Sequence, residues 1–231
     1  MTRITDNLAE IRQRIAAAAA RSGRPAEAVK LVAVTKHVEP SIVRELVAAG
    51  CRELGESRPQ ELWNKARELA DLPIHWHMIG HLQRNKVERT LPIVSLIHSV
   101  DSRRVVAAID ETAQSLGRTV PILIEVNISG DRSKHGFQAD EMAAALPDII
   151  APGHVRICGL MAMAGREGDA GAARRDFAHL RELRDRMRRS LPDGASLDEL
   201  SMGMSGDFEA AIEEGATIVR IGSALFEGVA P

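Results

Sequence analysis

The chain has 231 residues, a formal net charge of -2, 45% hydrophobic and 27% charged residues, the make-up of a globular protein with room for a sizeable core. That charge balance gives no broad footprint for nucleic acid, and 3% aromatic residues leave few faces for bases to stack on. The longest apolar run, IAAAAA at 15–20, falls short of the ~18 residues a membrane span needs, so no membrane partner is expected.

The N-terminus mixes acids and bases at helical spacing instead of presenting a basic stub and a cleavage site. Only two cysteines occur, Cys51 and Cys158, too few for a disulfide framework; a cytoplasmic location is expected.

In chain order, Ile4, Leu8, Ile11 and Ile15 predict an amphipathic helix over 3–22. Apolar runs follow at 31–35, 52–54, 74–79, 94–98, 121–128, 155–163, 198–202 and 217–221, and each except the last leads into a stretch with helical periodicity. The clearest helices are 41–50, ended by Gly50; 59–70, opened by Pro59; and 171–190. Strands alternating with helices imply parallel pairing and right-handed crossovers. Eight units of roughly 29 residues suit a (β/α)8 barrel, which takes ~250 residues. The expectation is an α/β fold: a single TIM barrel domain over 1–231 with an extra N-terminal helix. The arginine-rich run 174–190 interleaves Asp176, Glu182 and Asp185 at helical spacing, which reads as a solvated outer helix.

Barrels of this kind carry their working site at the C-terminal ends of the strands. Strand one ends on a charge, Lys36, where a buried strand would normally exclude one. Later strands run into GES (55–57), HWHMIGHLQRNK (75–86), NISGDRSKHG (127–136), GLMAM (159–163), SMGMSGDF (201–208) and RIGSALF (220–226). The last two, with Ser201, Ser205, Gly222 and Ser223, look like anion cradles, and barrels frequently hold phosphate after strands seven and eight. A phosphate there, beside a lysine on strand one, suggests a ligand carrying both a phosphate and an aldehyde. Pyridoxal 5'-phosphate (PLP) meets that description, and an amine held in an apolar setting near a cation is primed to form an imine.

Taken with AVTK (33–36), LGES with QE (54–61), WHMIGHLQRNK (76–86), VNIS with SKHG (126–136), GLMAM, LSMGMSGDFEAAI (200–212) and VRIGSALFEG (219–228), the chain resembles the pyridoxal phosphate homeostasis family from about residue 5 to 228. The resemblance implies a fold type III barrel like the N-terminal barrel of alanine racemase, with PLP held as a Lys36 aldimine. It also implies phosphate ligands at Ser201, Gly222 and Ser223, helped by Met202 and Ser205; Arg220 as the partner of the pyridine ring; and His77 and Asn127 lining the pocket. Where the family reads GEN, this chain has Ser57, shorter than asparagine.

On this footing the expected role is to bind PLP, buffer its aldehyde and deliver it to PLP-dependent apo-enzymes, as a monomer. The rival is a small amino-acid racemase using Lys36 and His77 as paired bases. Against it, an arginine at the ring nitrogen makes the ring a weaker electron sink, the sequence has no tyrosine to act opposite the lysine, and the barrel accounts for the whole length. A metal reading of HWH, with His75 and His77 on one strand face and His81 and His98 on nearby loops, lacks a carboxylate or cysteine close in sequence, so no metal is expected.

Overall fold

The computed structural model describes residues 2–130, 135–151, 153–165, 170–191 and 196–229. Helix α1 (Arg3–Arg21) precedes β1 (Lys30–Val34), α2 (Pro40–Ala48), β2 (Glu53–Glu56), α3 (Pro59–Glu68), β3 (His75–Met78), the single turn α4 (Val87–Thr90) and β4 (Val94–Val100). Then come α5 (Arg103–Ser115), β5 (Val120–Asn127), β6 (Phe137–Gln138), α6 (Met142–Ile150), β7 (Val155–Met161), α7 (Ala170–Arg188), β8 (Glu199–Ser201), α8 (Phe208–Glu213) and β9 (Ile218–Ile221).

The strands pair in parallel in the order β4-β3-β2-β1-β9-β8-β7-β5, and β4 also pairs with β5, which closes an eight-stranded barrel. This matches the expected fold strand for strand. The short β6 is an addition: it lies alongside the end of β5, with Val126 opposite Phe137. Prolines open α2 and α3, where a missing N–H costs nothing, and Gly50 follows α2 in the left-handed region at φ 83°.

Most apolar side chains pack between the strands and the ring of helices, among them Leu46, Leu54, Leu62, Ile97, Leu160 and Phe208. Inside the barrel the apolar filling is small: Val32, Leu96, Leu123, Met161 and Ile218 form a separate cluster. Side chains alternate in and out along a strand. The next inward positions toward the C-terminal mouth after Leu96, Leu123 and Ile218 are therefore His98, Glu125 and Arg220, all buried. An apolar plug below and a polar row above is the arrangement that positions the site. Helix α1 ties down the end of the chain, since buried Asn7 Nδ2 donates to the carbonyls of Leu225 and Glu227.

Candidate cofactor site

Lys36 stands two residues past the end of β1. Thr35 just before it is anchored: its hydroxyl donates to Glu56 Oε1 at 2.7 Å, and its carbonyl accepts from Lys65 Nζ at 2.6 Å. Lys65 also pairs with the same Glu56 oxygen at 2.7 Å, in a buried ion pair beneath the rim. Past this anchor the chain lifts away, with His37 in the left-handed region at φ 62°, a conformation histidine adopts more readily than most residues. Lys36 is thus exposed, not set among apolar groups as expected; the apolar plug lies lower in the barrel. It borders a cleft of about 480 Å³ shared with Glu56, Ser57 and Arg58. Glu56 Oε2 lies there with no hydrogen-bond partner.

The neighbouring strand carries the cradle. The backbone N–H groups of Gly222 and Ala224 both donate to Ser205 Oγ, each at 3.3 Å, so two amides and a hydroxyl converge at the end of β9. Such converging amides favour an anion. Gly222 lies close against β1, the strand that leads to Lys36: a Cβ there would approach Val34 Cβ to 3.3 Å, a tight contact. Exposed Ser223 adds a second hydroxyl beside the cradle. Lysine and cradle are therefore carried by adjacent strands.

Arg220 is buried one inward position below the cradle. Its Nη1 donates to Ser201 Oγ at 2.6 Å and its Nη2 to the carbonyl of Ala162 at 3.1 Å. Burial pulls its pKa down to about 10 against the opposing pull of Glu125 and Asp207, so it stays a cation at neutral pH. Ser201 differs from expectation: its hydroxyl is wholly buried and engaged by Arg220 and His98, beneath the rim and not on it. Met202 points into the outer core, which leaves only its backbone for any contact at the mouth.

His77 also departs from the expected lining role. It lies deep in the barrel, with Nε2 2.7 Å from Glu53 Oε2 and Nδ1 2.8 Å from His98 Nε2, while His98 Nδ1 is 2.8 Å from Ser201 Oγ. Burial lowers the pKa of His77 and takes that of His98 well below the usual range; both are neutral. Burial acts to raise Glu53, but hydrogen bonds from His77 and His75 outweigh it and hold the carboxyl at about 2. His98 is inside β4, not on a loop. It stands two residues beyond Leu96, as Glu125 stands two beyond Leu123, a parity that identifies the inward row only once the strand register is known.

Asn127 is buried at the end of β5, where its Oδ1 accepts from Ser129 Oγ at 3.4 Å. Residues Ser133 and Lys134 of the SKHG motif lie outside the described residues. The HWH pair faces Glu53: His75 meets Oε1 and His77 meets Oε2. Among the described residues the set whose ligand atoms converge enough for a metal is instead His81, Asp101 and His135, with both histidines exposed and His81 Nδ1 already 2.8 Å from the Asp101 carboxylate.

Comparison with known proteins bears on this arrangement. The family "Alanine racemase, N-terminal domain" matches residues 6–230. The pyridoxal phosphate homeostasis proteins of Aquifex aeolicus and Pseudomonas aeruginosa are 39% and 40% identical over 221 and 226 residues. These alignments cover 96% of both the chain and the Aquifex protein, and 98% of the chain and 96% of the Pseudomonas protein. PipY of Synechococcus elongatus, solved with PLP bound, superposes with a TM-score of 0.87 at 36% identity, over 97% of this chain and all of that one. Alanine racemase of Clostridium difficile shares the fold at 16% identity and a TM-score of 0.68, over 86% of this chain and 51% of that chain. An amine at the mouth of β1, an amide cradle on β9 and a full-length likeness of this extent lead to one conclusion: the chain belongs to the pyridoxal phosphate homeostasis protein family.

Proposed function

We propose that this protein binds PLP reversibly at the C-terminal mouth of the barrel and acts in intracellular PLP homeostasis, buffering the free aldehyde and delivering the cofactor to apo-enzymes. The observation that carries the reading is the Lys36-bearing end of β1 packed against the Gly222–Ala224 cradle, with a buried guanidinium directly below. Bound PLP would supply an electrophilic aldehyde. Lys36 is the residue that would present its amine to that carbon, with loss of water; Gly222, Ser223, Ala224 and Ser205 would hold the phosphate; and Arg220 would offer the pyridine nitrogen the N–H donors not engaged by Ser201 and Ala162. Ser201 and Met202 contribute through position and backbone. Asn127 lines the opposite wall.

The protein acts on this reading as one cofactor-binding domain, monomeric and cytoplasmic; among the described residues no helix is long and apolar enough to cross a membrane. A holding role is favoured over racemization. A second base would have to reach the ligand, yet both ring nitrogens of His77 are engaged deep inside the barrel, and the sequence offers no tyrosine.

The direct test is to load purified protein with PLP, reduce it with borohydride and map the peptides. The pyridoxyl adduct is expected on Lys36, and Lys36→Ala is expected to lose the violet absorption band. An adduct on another lysine, or none, refutes the proposal. Rapid exchange of the α-proton of alanine for deuterium would establish the racemase instead.

A further inference from the structure

Glu53, His77, His98, Ser201 and Arg220 form one unbroken line of hydrogen bonds through the barrel interior, from the floor of the barrel to the guanidinium below its mouth. Four links of 2.6–2.8 Å join residues on β2, β3, β4, β8 and β9, five of the eight barrel strands. At its lower end Glu53 borders a cleft of about 380 Å³ together with Lys30, His75, Arg156 and Glu199.

The donor inventory assigns every proton in the line. Glu53 is ionised and can only accept, so His77 Nε2 carries a hydrogen and donates to it. A neutral His77 then accepts at Nδ1, which requires a hydrogen on His98 Nε2. Neutral His98 accepts at Nδ1 in turn, which takes the single hydroxyl proton of Ser201. With that proton committed, Ser201 Oγ presents its lone pairs to Arg220, a residue with donors only. The ionised Glu53 end therefore sets the direction, and the donor-only Arg220 agrees with it: run backwards, the line would have Ser201 Oγ accept from both His98 and Arg220 and leave its own buried proton without an acceptor in the line. A proton shuttle needs that reversed arrangement; a rigid support does not.

We propose that Glu53, His77 and His98 are positioning residues for the cofactor. Through Ser201 they fix the rotation of the Arg220 guanidinium and hold its remaining N–H groups toward the ring nitrogen. This rests on the PLP reading above for the identity of what Arg220 faces, while the direction of the line is a property of the protein alone.

The first test uses unloaded protein: nitrogen-15 NMR of the imidazoles near neutral pH. Both His77 and His98 are expected as neutral rings with the hydrogen on Nε2. A hydrogen on Nδ1, or a charged ring at either position, overturns the inference. The second test loads PLP onto His98→Phe, which keeps a ring in the core but removes both nitrogens. Its violet band is expected to move and its dissociation constant to rise roughly tenfold, the equivalent of one lost buried hydrogen bond. Should His98→Phe fail to fold, Glu53→Gln removes only the charge at the far end; a mixed His77 tautomer and a displaced band are then expected. Ser201→Thr, which keeps the hydroxyl, should retain the parent band where Ser201→Ala does not. A role confined to stability would lower the melting temperature of these variants and leave the band of the folded fraction unchanged, and that result refutes the proposal. If the parent protein forms no violet band at all, the functional reading fails while the NMR result still decides the direction of the line.

Discussion

Lys65 is the test of how the lysine-bearing strand is held. Its side chain is only 9% exposed, and it satisfies two acceptors at once: Glu56 Oε1, on a carboxylate that is fully buried, and the carbonyl of Thr35, next to Lys36. Lys65→Met keeps the unbranched stem and removes the charge. Glu56 would then be a buried anion with one bond from Thr35 and an oxygen that already has no partner. Breaking a buried pair on one side costs about 3–5 kcal/mol, a large share of the 5–15 kcal/mol that holds a typical protein together. For a chain of this size that lowers the melting temperature by on the order of 10 °C. Urea unfolding followed by circular dichroism measures it. The double variant Glu56→Leu, Lys65→Met removes both charges and should recover much of the loss, because apolar replacement of a whole pair is often close to neutral. The reasoning is wrong if Lys65→Met unfolds within about 1 kcal/mol of the parent, or if the double variant is as unstable as the single.

Gly159→Ala would place a Cβ 1.8 Å from the carbonyl oxygen of Glu199 on the adjacent strand, a backbone atom that cannot swing aside. Overpacking of this kind typically costs 1–3 kcal/mol or more, read as a lower urea midpoint, and an unchanged midpoint would show that β7 and β8 can part freely. Burial, reinforced by Asp101, lifts the Glu125 carboxyl to about 7 from 4.5. The folded state thus binds this proton more tightly than the unfolded chain, so the side chain's contribution is complete below about pH 4.5 and is lost as pH rises through about 7. Glu125→Gln removes that loss, and its stability relative to the parent should grow across this window by on the order of 3 kcal/mol at most. Parallel stability curves for the two proteins would refute it.

The strands were legible because parallel strands buried on both faces appear as short apolar runs, and the barrel followed from their number. The same property hid the interior. Where both faces are apolar, parity does not announce which residues point inward, and His98, Glu125 and Arg220 share an inward row only once register is known. The chemistry of Lys36 was readable from the charge that ends β1, but its exposure was not, because that depends on the turn at His37. Among the described residues the buried lysine is Lys65, and its sign was available: Leu62, Lys65 and Leu69 fall on one face of α3 and its continuation, all buried. Ser201 sat in a motif that suggested phosphate, yet strand register places its hydroxyl beside Arg220 and His98, a tertiary fact that no local pattern carries. The two-residue β6 is too short to carry a strand pattern of its own and is recognised only by its pairing with the end of β5.

Enzymes that use a bound aldehyde gain by excluding water from it, whereas a protein that stores and surrenders one needs an open mouth. Among the described residues the rim is exposed at several points: Lys36 and Ser223 are exposed, and Met163 and Met204, which follow β7 and β8, are 38% and 41% exposed. An accessible lysine leaves two routes of supply to an apo-enzyme, release into solution or hand-over in a contact. Mixing the loaded protein with a PLP-requiring apo-enzyme and an excess of an aldehyde trap separates them. Release through solution predicts that the trap abolishes activation, because every escaping molecule is captured first. Delivery predicts that activation persists at a rate that rises with apo-enzyme concentration. Activation that the trap stops completely would reduce the protein to a buffer, since an exposed lysine alone does not distinguish a store from a courier.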